Sequence, residues 1–132
     1  MITHYHNIKV YYKDVDKMGI VYYSRYFEYF EESRTELLFS AGISVTDLEK
    51  KGVMLPVISS HCDYKYGAKF EDIIIIKSWI EQNPRSTMKI FYEAKLKQTN
   101  ILIAKGYTVH AFINRKWKPI KPPNVILNIL KK

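Results

Sequence analysis

The sequence predicts an α+β fold in which an antiparallel sheet packs against one long helix. Three observations carry the prediction. A long amphipathic segment ends at Gly42, a series of alternating segments follows from residue 53 at hairpin spacing, and the two kinds of element are segregated along the chain. One strand, one long helix and then strands in succession point to α+β with an antiparallel sheet. No internal repeat, low-complexity segment or linker interrupts the order, so residues 1–132 read as a single domain.

The first strand is read at residues 8–12, where Ile8 and Val10 alternate against Lys9. The long helix follows an acid-bearing loop with Asp14, Asp16 and Gly19. Phe27, Phe30, Leu37, Leu38 and Ala41 recur at three- and four-residue steps, with Tyr23 one heptad before Phe30. Acids concentrate in the first half of this segment, where the positive end of the helix dipole favours them. Gly42 suits the position just past the end; at the start, either Ser24 is the N-cap or the helix begins a turn earlier. A helical turn is expected at residues 45–50.

Residues 53–66 alternate as a half-buried strand, with Ile58, Cys62, Tyr64 and Tyr66 on one side and Ser59, His61, Asp63 and Lys65 on the other. Pro56 near its start marks an edge or the beginning of the strand. Residues 72–81 form the strongest strand, whose four successive isoleucines imply burial on both faces. Asn83, Pro84 and Arg85 signal a turn, and residues 86–97 alternate again. Gln98, Thr99 and Asn100 turn the chain into a last strand at residues 101–113. Within it Gly106 marks a bulge or a close approach. Pro123 then opens a short closing helix at residues 124–130.

Composition bounds the function. The chain has 132 residues, 47% hydrophobic and 26% charged, as expected of a folded globular protein and not a disordered one. Its net charge of +8 favours anionic partners, a phosphorylated small molecule among them, although dispersed lysines also serve solubility. Cys62 is the single cysteine, which excludes an internal disulfide and suits a reducing cytoplasm. The N-terminus lacks the pattern of a signal peptide, and no apolar run reaches membrane-spanning length, so a cytoplasmic protein without a transmembrane segment is expected.

The chemistry concentrates where the acid loop meets the helix. The first amides of a helix lack internal partners and can polarise a carbonyl oxygen or hold an anion. Asp16 lies a few residues upstream and could stand beside that carbonyl as nucleophile or base. The plain alternative is that Asp14 and Asp16 only shape a turn.

The stretch YYKDVDKMGIVYYSRYFEYF, with its Y-x-D-V-D-x-x-G-I-V-Y-Y-x-x-Y pattern from Tyr12 through Tyr26, resembles the 4-hydroxybenzoyl-CoA thioesterase family. It is similar in particular to the bacterial acyl-CoA thioesterases associated with the Tol-Pal system. The resemblance covers nearly the whole chain. It implies a hot-dog fold, in which the sheet wraps a central helix, and a homodimer or homotetramer with active sites between subunits. It further implies Asp16 as the catalytic acid and the backbone amide of Tyr23 as the donor that holds the thioester oxygen. Many members of that branch carry histidine at this position, so tyrosine here leaves the backbone role and removes any role for an imidazole. Arg85, with Lys89, matches the basic groups that meet the CoA phosphates. His61 is a candidate for the acyl pocket. The implied reaction is hydrolysis of an acyl-CoA thioester, without cofactor or metal.

Two other readings are open to the sequence. An acyl carrier protein could present the thioester instead of CoA, since a basic surface suits an acidic carrier. A nonenzymatic module for RNA or acidic lipid would use the positive charge and the tyrosines, but the sequence has no aromatic RNA-binding signature and nucleic acid is not expected. The histidines show no metal-ligand spacing, and Cys62 has no neighbouring base to activate it.

Overall fold

The computed structural model describes residues 1–81 and 84–131. Strand β1 (Ile2–Lys9) leads through a 3-10 turn (Tyr12–Asp14) to helix α1 (Arg25–Ser40) and the short helix α2 (Val45–Lys50). Strands β2 (Val57–Tyr64), β3 (Ile73–Ile80), β4 (Thr87–Leu96) and β5 (Leu102–Ala111) follow, and helix α3 (Asn124–Leu130) closes the chain. The strands form one antiparallel sheet in the order β1-β3-β4-β5-β2.

The α+β class and the antiparallel sheet are as predicted. The first strand begins earlier, at Ile2, and ends at Lys9 instead of residue 12. All eight of its residues pair with β3, from Ile2 opposite Ile80 to Lys9 opposite Ile73. The chain turns after Val10 because the Asp14 carboxylate takes the Tyr11 amide at 2.9 Å. The turn expected at Asn83–Arg85 includes Asn83, which lies outside the described residues, as does the basic terminal Lys132. The turn at residues 98–100 joins β4 to β5, with Asn100 at φ 63°.

Helix α1 starts at Arg25 after Ser24, whose hydroxyl caps no amide. Its buried stripe is Tyr26, Tyr29, Phe30, Ser33, Leu37 and Leu38. Phe30 stacks on Tyr92 of β4 at 4.3 Å between ring centroids, with planes 7° apart. Tyr23, placed on the apolar face by heptad spacing, is 57% exposed because it precedes the helix. The helix stops as its sequence dictates. Gly42 adopts φ 88°, its amide meets the Phe39 carbonyl at 3.0 Å, and the Ile43 amide reaches the Leu38 carbonyl at 2.8 Å. This Schellman arrangement fills the last free carbonyls and buries Leu38 and Ile43.

The sheet's inner face carries Ile74, Ile76, Met88, Ile90, Tyr92, Ala94, Ile103 and Ala104, all buried. Double-sided burial of the isoleucine run is only partial: Ile73 and Ile75 face outward and stay half-exposed. Strand β2 departs further from expectation. The helix lies over β1 and β3, so β2 at the opposite edge receives little cover. Val57 and Ile58 are 42% and 58% exposed in the single chain. Pro56 and the bulge between Val57 and Ser59 fit an edge strand.

Gly106 is the close approach foreseen in the last strand. A methyl group there would run into the His61 carbonyl oxygen of β2 and crowd the Cys62 Cα at 3.1 Å. Gly106→Ala is therefore expected to push β2 off β5 and lower unfolding stability by about 1–3 kcal/mol. Denaturant unfolding of the variant checks this, and an unchanged midpoint would show that the β2 edge yields freely.

Candidate active site

Asp14 and Asp16 share a loop but do different things. Asp14 is 5% exposed and holds the loop together. Its carboxylate takes the Tyr11 amide, its carbonyl takes the Tyr22 amide at 2.9 Å, and Arg25 Nε stands 3.9 Å from Oδ1. Arg25 also reaches the Lys13 carbonyl and the Glu28 carboxylate, so the first residue of α1 is tied to the loop before it. The Tyr29 hydroxyl is buried beside Asp14 with no hydrogen-bond partner among the described residues. Burial first, and the Asp14 carboxylate next, push its pKa up, so the phenol holds its proton more tightly.

Asp16 is half-buried at the tip of the loop. Its Oδ1 accepts the Met18 amide at 2.8 Å and its carbonyl accepts the Gly19 amide at 2.9 Å. Gly19, at φ 80°, supplies the left-handed residue that this tight turn needs. The loop then zips back on itself through a bridge between Val15 and Val21 and joins Lys69 through Ile20.

The turn delivers Asp16 and Tyr23 to one open cavity of about 510 Å³, which also receives Met18, Tyr22, Tyr26, Tyr64 and Tyr66. At the helix start the Arg25, Tyr26 and Phe27 amides close back on the Tyr22, Tyr23 and Ser24 carbonyls. The Tyr23 amide has no such acceptor among the described residues. The Tyr64 hydroxyl donates to the Tyr23 carbonyl at 3.2 Å and fixes the peptide from the β2 side. A carboxylate and an uncommitted helix-start amide thus border the same space.

The cavity wall is phenolic. The Tyr22 hydroxyl is shifted above its ordinary range by Tyr23 first and by Asp16 to a smaller degree. Burial pushes Tyr64 up to about 12, with Cys62 adding to the rise. The Cys62 thiol is pushed up to about 11 by burial, so it stays protonated at neutral pH and packs as a small apolar group. Tyr26 and Tyr64 are ring neighbours at 5.6 Å. The sequence reading placed Tyr64 and Tyr66 on one side of a half-buried strand and gave them no part in the site. They come from more than forty residues beyond Asp16, and only the sheet brings them back.

The other candidates lie elsewhere. Arg85 and Lys89 meet at the β3–β4 hairpin, around a cavity of about 440 Å³ with Pro84, Ser86, Thr87 and Phe91. Lys89 Nζ sits 4.0 Å from the Tyr107 ring centroid. His61 points to the outer face of the sheet, where it stacks on Tyr107 at 5.4 Å and meets Asp63 at 3.1 Å. It does not line the Asp16 cavity of its own chain, because residues 59, 61 and 63 face away from the helix.

A third cavity, of about 280 Å³, lies under the later half of α1 among Leu38, Met54, Pro56, Met88, Ile90, His110 and Trp117. His110 is 2% exposed and belongs to a buried chain of hydrogen bonds. Its Nδ1 lies 3.0 Å from the Leu55 carbonyl, its Nε2 lies 2.8 Å from Thr108 Oγ1, and that oxygen lies 2.7 Å from the Tyr92 hydroxyl. A carbonyl only accepts, so Nδ1 carries the proton. Thr108 then donates to Nε2 and Tyr92 donates to Thr108. Sequence spacing gave no signal for this group, since His110 alternates in a strand like any inward residue.

The arrangement is that of a hot-dog fold: a five-stranded antiparallel sheet with one long helix across it and an acid loop at the helix start. The sequence model of the Thioesterase-like superfamily matches residues 10–130, and the chain belongs to that superfamily as a thioester hydrolase. It is 29% identical to the acyl-CoA thioesterase YbgC of Haemophilus influenzae over 90% of this chain and 88% of that one. Among solved structures, a DHNA-CoA thioesterase from Staphylococcus aureus superposes with a TM-score of 0.86 at 30% identity, covering 92% of this chain and 81% of that one. A 4-hydroxybenzoyl CoA thioesterase variant complexed with 4-hydroxybenzoyl CoA superposes with a TM-score of 0.88, covering 98% of this chain and 99% of that one, at 14% identity. At that identity the likeness concerns the fold alone.

Burial pushes the His110 imidazole down to about 4, with Arg34 lowering it further and the Leu55 carbonyl opposing. The unfolded chain takes this proton near 6.5, so the stabilisation is whole above that pH and is lost as pH falls from 6.5 towards 4. Between neutral pH and about pH 5 the loss should approach about 2 kcal/mol. Unfolding curves at the two pH values check it: His110→Gln should flatten the dependence, and an equal slope in the variant would assign it to other groups.

Proposed function

We propose that this chain hydrolyses acyl-CoA thioesters, with Asp16 as nucleophile or general base and the Tyr23 amide as donor to the thioester oxygen. The observation that carries this reading is the meeting of the Asp16 carboxylate and the free helix-start amide at one cavity. A thioester carbonyl placed between them would be polarised by the amide and by the positive end of α1. Attack on the carbonyl carbon, by the carboxylate or by water that it deprotonates, moves charge onto the oxygen facing that donor. The carbon–sulfur bond then breaks, CoA leaves as its thiol once protonated, and water supplies the oxygen of the free acid. The named activities of the Haemophilus influenzae relative and of the Staphylococcus aureus enzyme support a CoA thioester as substrate.

The uncovered β2 edge supports a homodimer in which this strand pairs with its own copy. An antiparallel self-pairing would set Tyr64, beside the Asp16 cavity, opposite the partner's Val57, next to Pro56 and the cavity under α1. Each acyl group would then enter the neighbouring protomer. Arg85 and Lys89 are the basic pair suited to the CoA phosphates. A carrier-protein thioester is the second substrate class, and rates on CoA and carrier thioesters of one acyl chain would separate the two.

Asp16→Asn should fold, because Asp16 makes only turn contacts at a half-buried tip, and should lose about 10²–10⁴ in kcat. Tyr23→Phe should keep activity within about threefold, since the proposed donor is a backbone amide. Thiol release from a panel of acyl-CoAs measures both. Near-normal turnover by Asp16→Asn would end the mechanism, and a large loss in Tyr23→Phe would move the role to the phenol.

A further inference from the structure

No acidic residue follows Glu93, and every charged residue from Lys95 to the end is basic. The positive excess of the chain therefore lies entirely in its last third. Part of it converges on one loop. After β5 the chain makes a tight reversal at residues 114–119, closed by a bridge between Ile113 and Pro119. Asn114 organises the reversal: its Oδ1 accepts the Lys116 amide at 2.9 Å and the Lys118 amide at 3.1 Å, and its carbonyl accepts the Trp117 amide at 3.0 Å.

The loop presents an indole to solvent. Trp117 is 72% exposed and held at φ 61°, a backbone region that a large side chain seldom adopts. Lys116 and Lys118 flank it. Arg115 fastens the loop to the end of α2 by donating to the Lys50 carbonyl at 2.7 Å, which brings Lys50 and Lys51 to the same corner. Glu49 and Glu31 are acids that share the cavity bordering Trp117. The result is a hydrogen-bonded tip with one large amphipathic ring between two lysines. The ring is left out of the core. Strain held by a dedicated side-chain cap marks a position selected for something outside the fold.

We propose that this corner docks the protein onto an anionic lipid surface, with Trp117 seated at headgroup depth and Lys116, Lys118 and the α2 lysines facing the lipid phosphates. Indoles settle at the boundary between water and acyl chains, and basic residues near an anionic leaflet each add attraction. A lipid surface suits this geometry better than an acidic protein. The contact is one ring on a tip flanked by lysines, and the cavity of about 280 Å³ that Trp117 also borders is too small to give a protein partner a large dry interface. Such docking would bring the enzyme to the membrane that dissolves long-chain thioesters. The inference stands on the loop and not on the identity of the substrate.

The test is sedimentation of the full chain with vesicles of phosphatidylcholine alone and of phosphatidylcholine with phosphatidylglycerol. The anionic vesicles should carry the protein down, with binding that falls steeply as salt rises, and the neutral ones should not. In a chain with Trp79→Phe, leaving Trp117 as the only indole, emission should shift to the blue on binding. Lys116→Glu with Lys118→Glu should weaken binding by about tenfold or more while hydrolysis of a soluble acyl-CoA persists, which shows the fold intact. Trp117→Ala should weaken binding on its own. Equal binding to both vesicle types, an unshifted Trp117 emission, or full binding by the charge-reversed variant would overturn the proposal. So would capture of an acidic acyl carrier protein by the same loop with no affinity for vesicles.

Discussion

The burial of one carboxylate governs the active end of this molecule. Asp14 sits in the core with almost no exposure, and a buried charge is tolerable only with partners. It finds them in the Tyr11 amide and the Arg25 guanidinium, while its own carbonyl takes the Tyr22 amide. Those contacts decide where β1 ends and where α1 begins. Everything between, including the Asp16 tip and the free Tyr23 amide, is a short span stretched between two fixed posts. The first acid of the D-x-D pair thus works through position, and the second is left half-exposed and available.

The chain states its own helix and most of its sheet plainly. Phe30 and Leu37 at helical spacing, Gly42 at the stop, and the β4 alternation through Met88, Ile90 and Tyr92 are all local signals, and the structure follows them. Strand β1 was misplaced because its partner, the isoleucine strand, is seventy residues away, and its inner positions hold His4 and His6, which read as polar. Strand β2 was placed but not its exposure, since what covers a face depends on which strands the helix crosses. The isoleucine run suggested burial on both faces, whereas Ile73 and Ile75 look outward in the single chain.

The candidate site was legible to the extent that it is local. Asp16 and Tyr23 lie within one loop-and-helix junction, and the residues themselves announce it. Tyr64 and Tyr66 join them only through the sheet, and nothing in their own neighbourhood says so. His61 shows the opposite failure. Its strand was recognised, but whether an alternating strand turns a given residue toward the helix or away from it is set by register with β5, which local pattern does not reveal. The buried His110 chain was invisible for the same reason: three polar residues on neighbouring strands become a network only when Tyr92, Thr108 and His110 come into register.

Strand β2 stands one rung short of a finished ladder. Its outer edge has no neighbouring strand among the described residues, and β5 holds it by a seam that tolerates no side chain at Gly106. Tyr64, at the far end of this rail, also clasps the peptide of Tyr23. Its ring also packs against those of Tyr23 and Tyr26. The open margin and the peptide at the helix start are thus one side chain apart, joined by the Tyr64 hydroxyl.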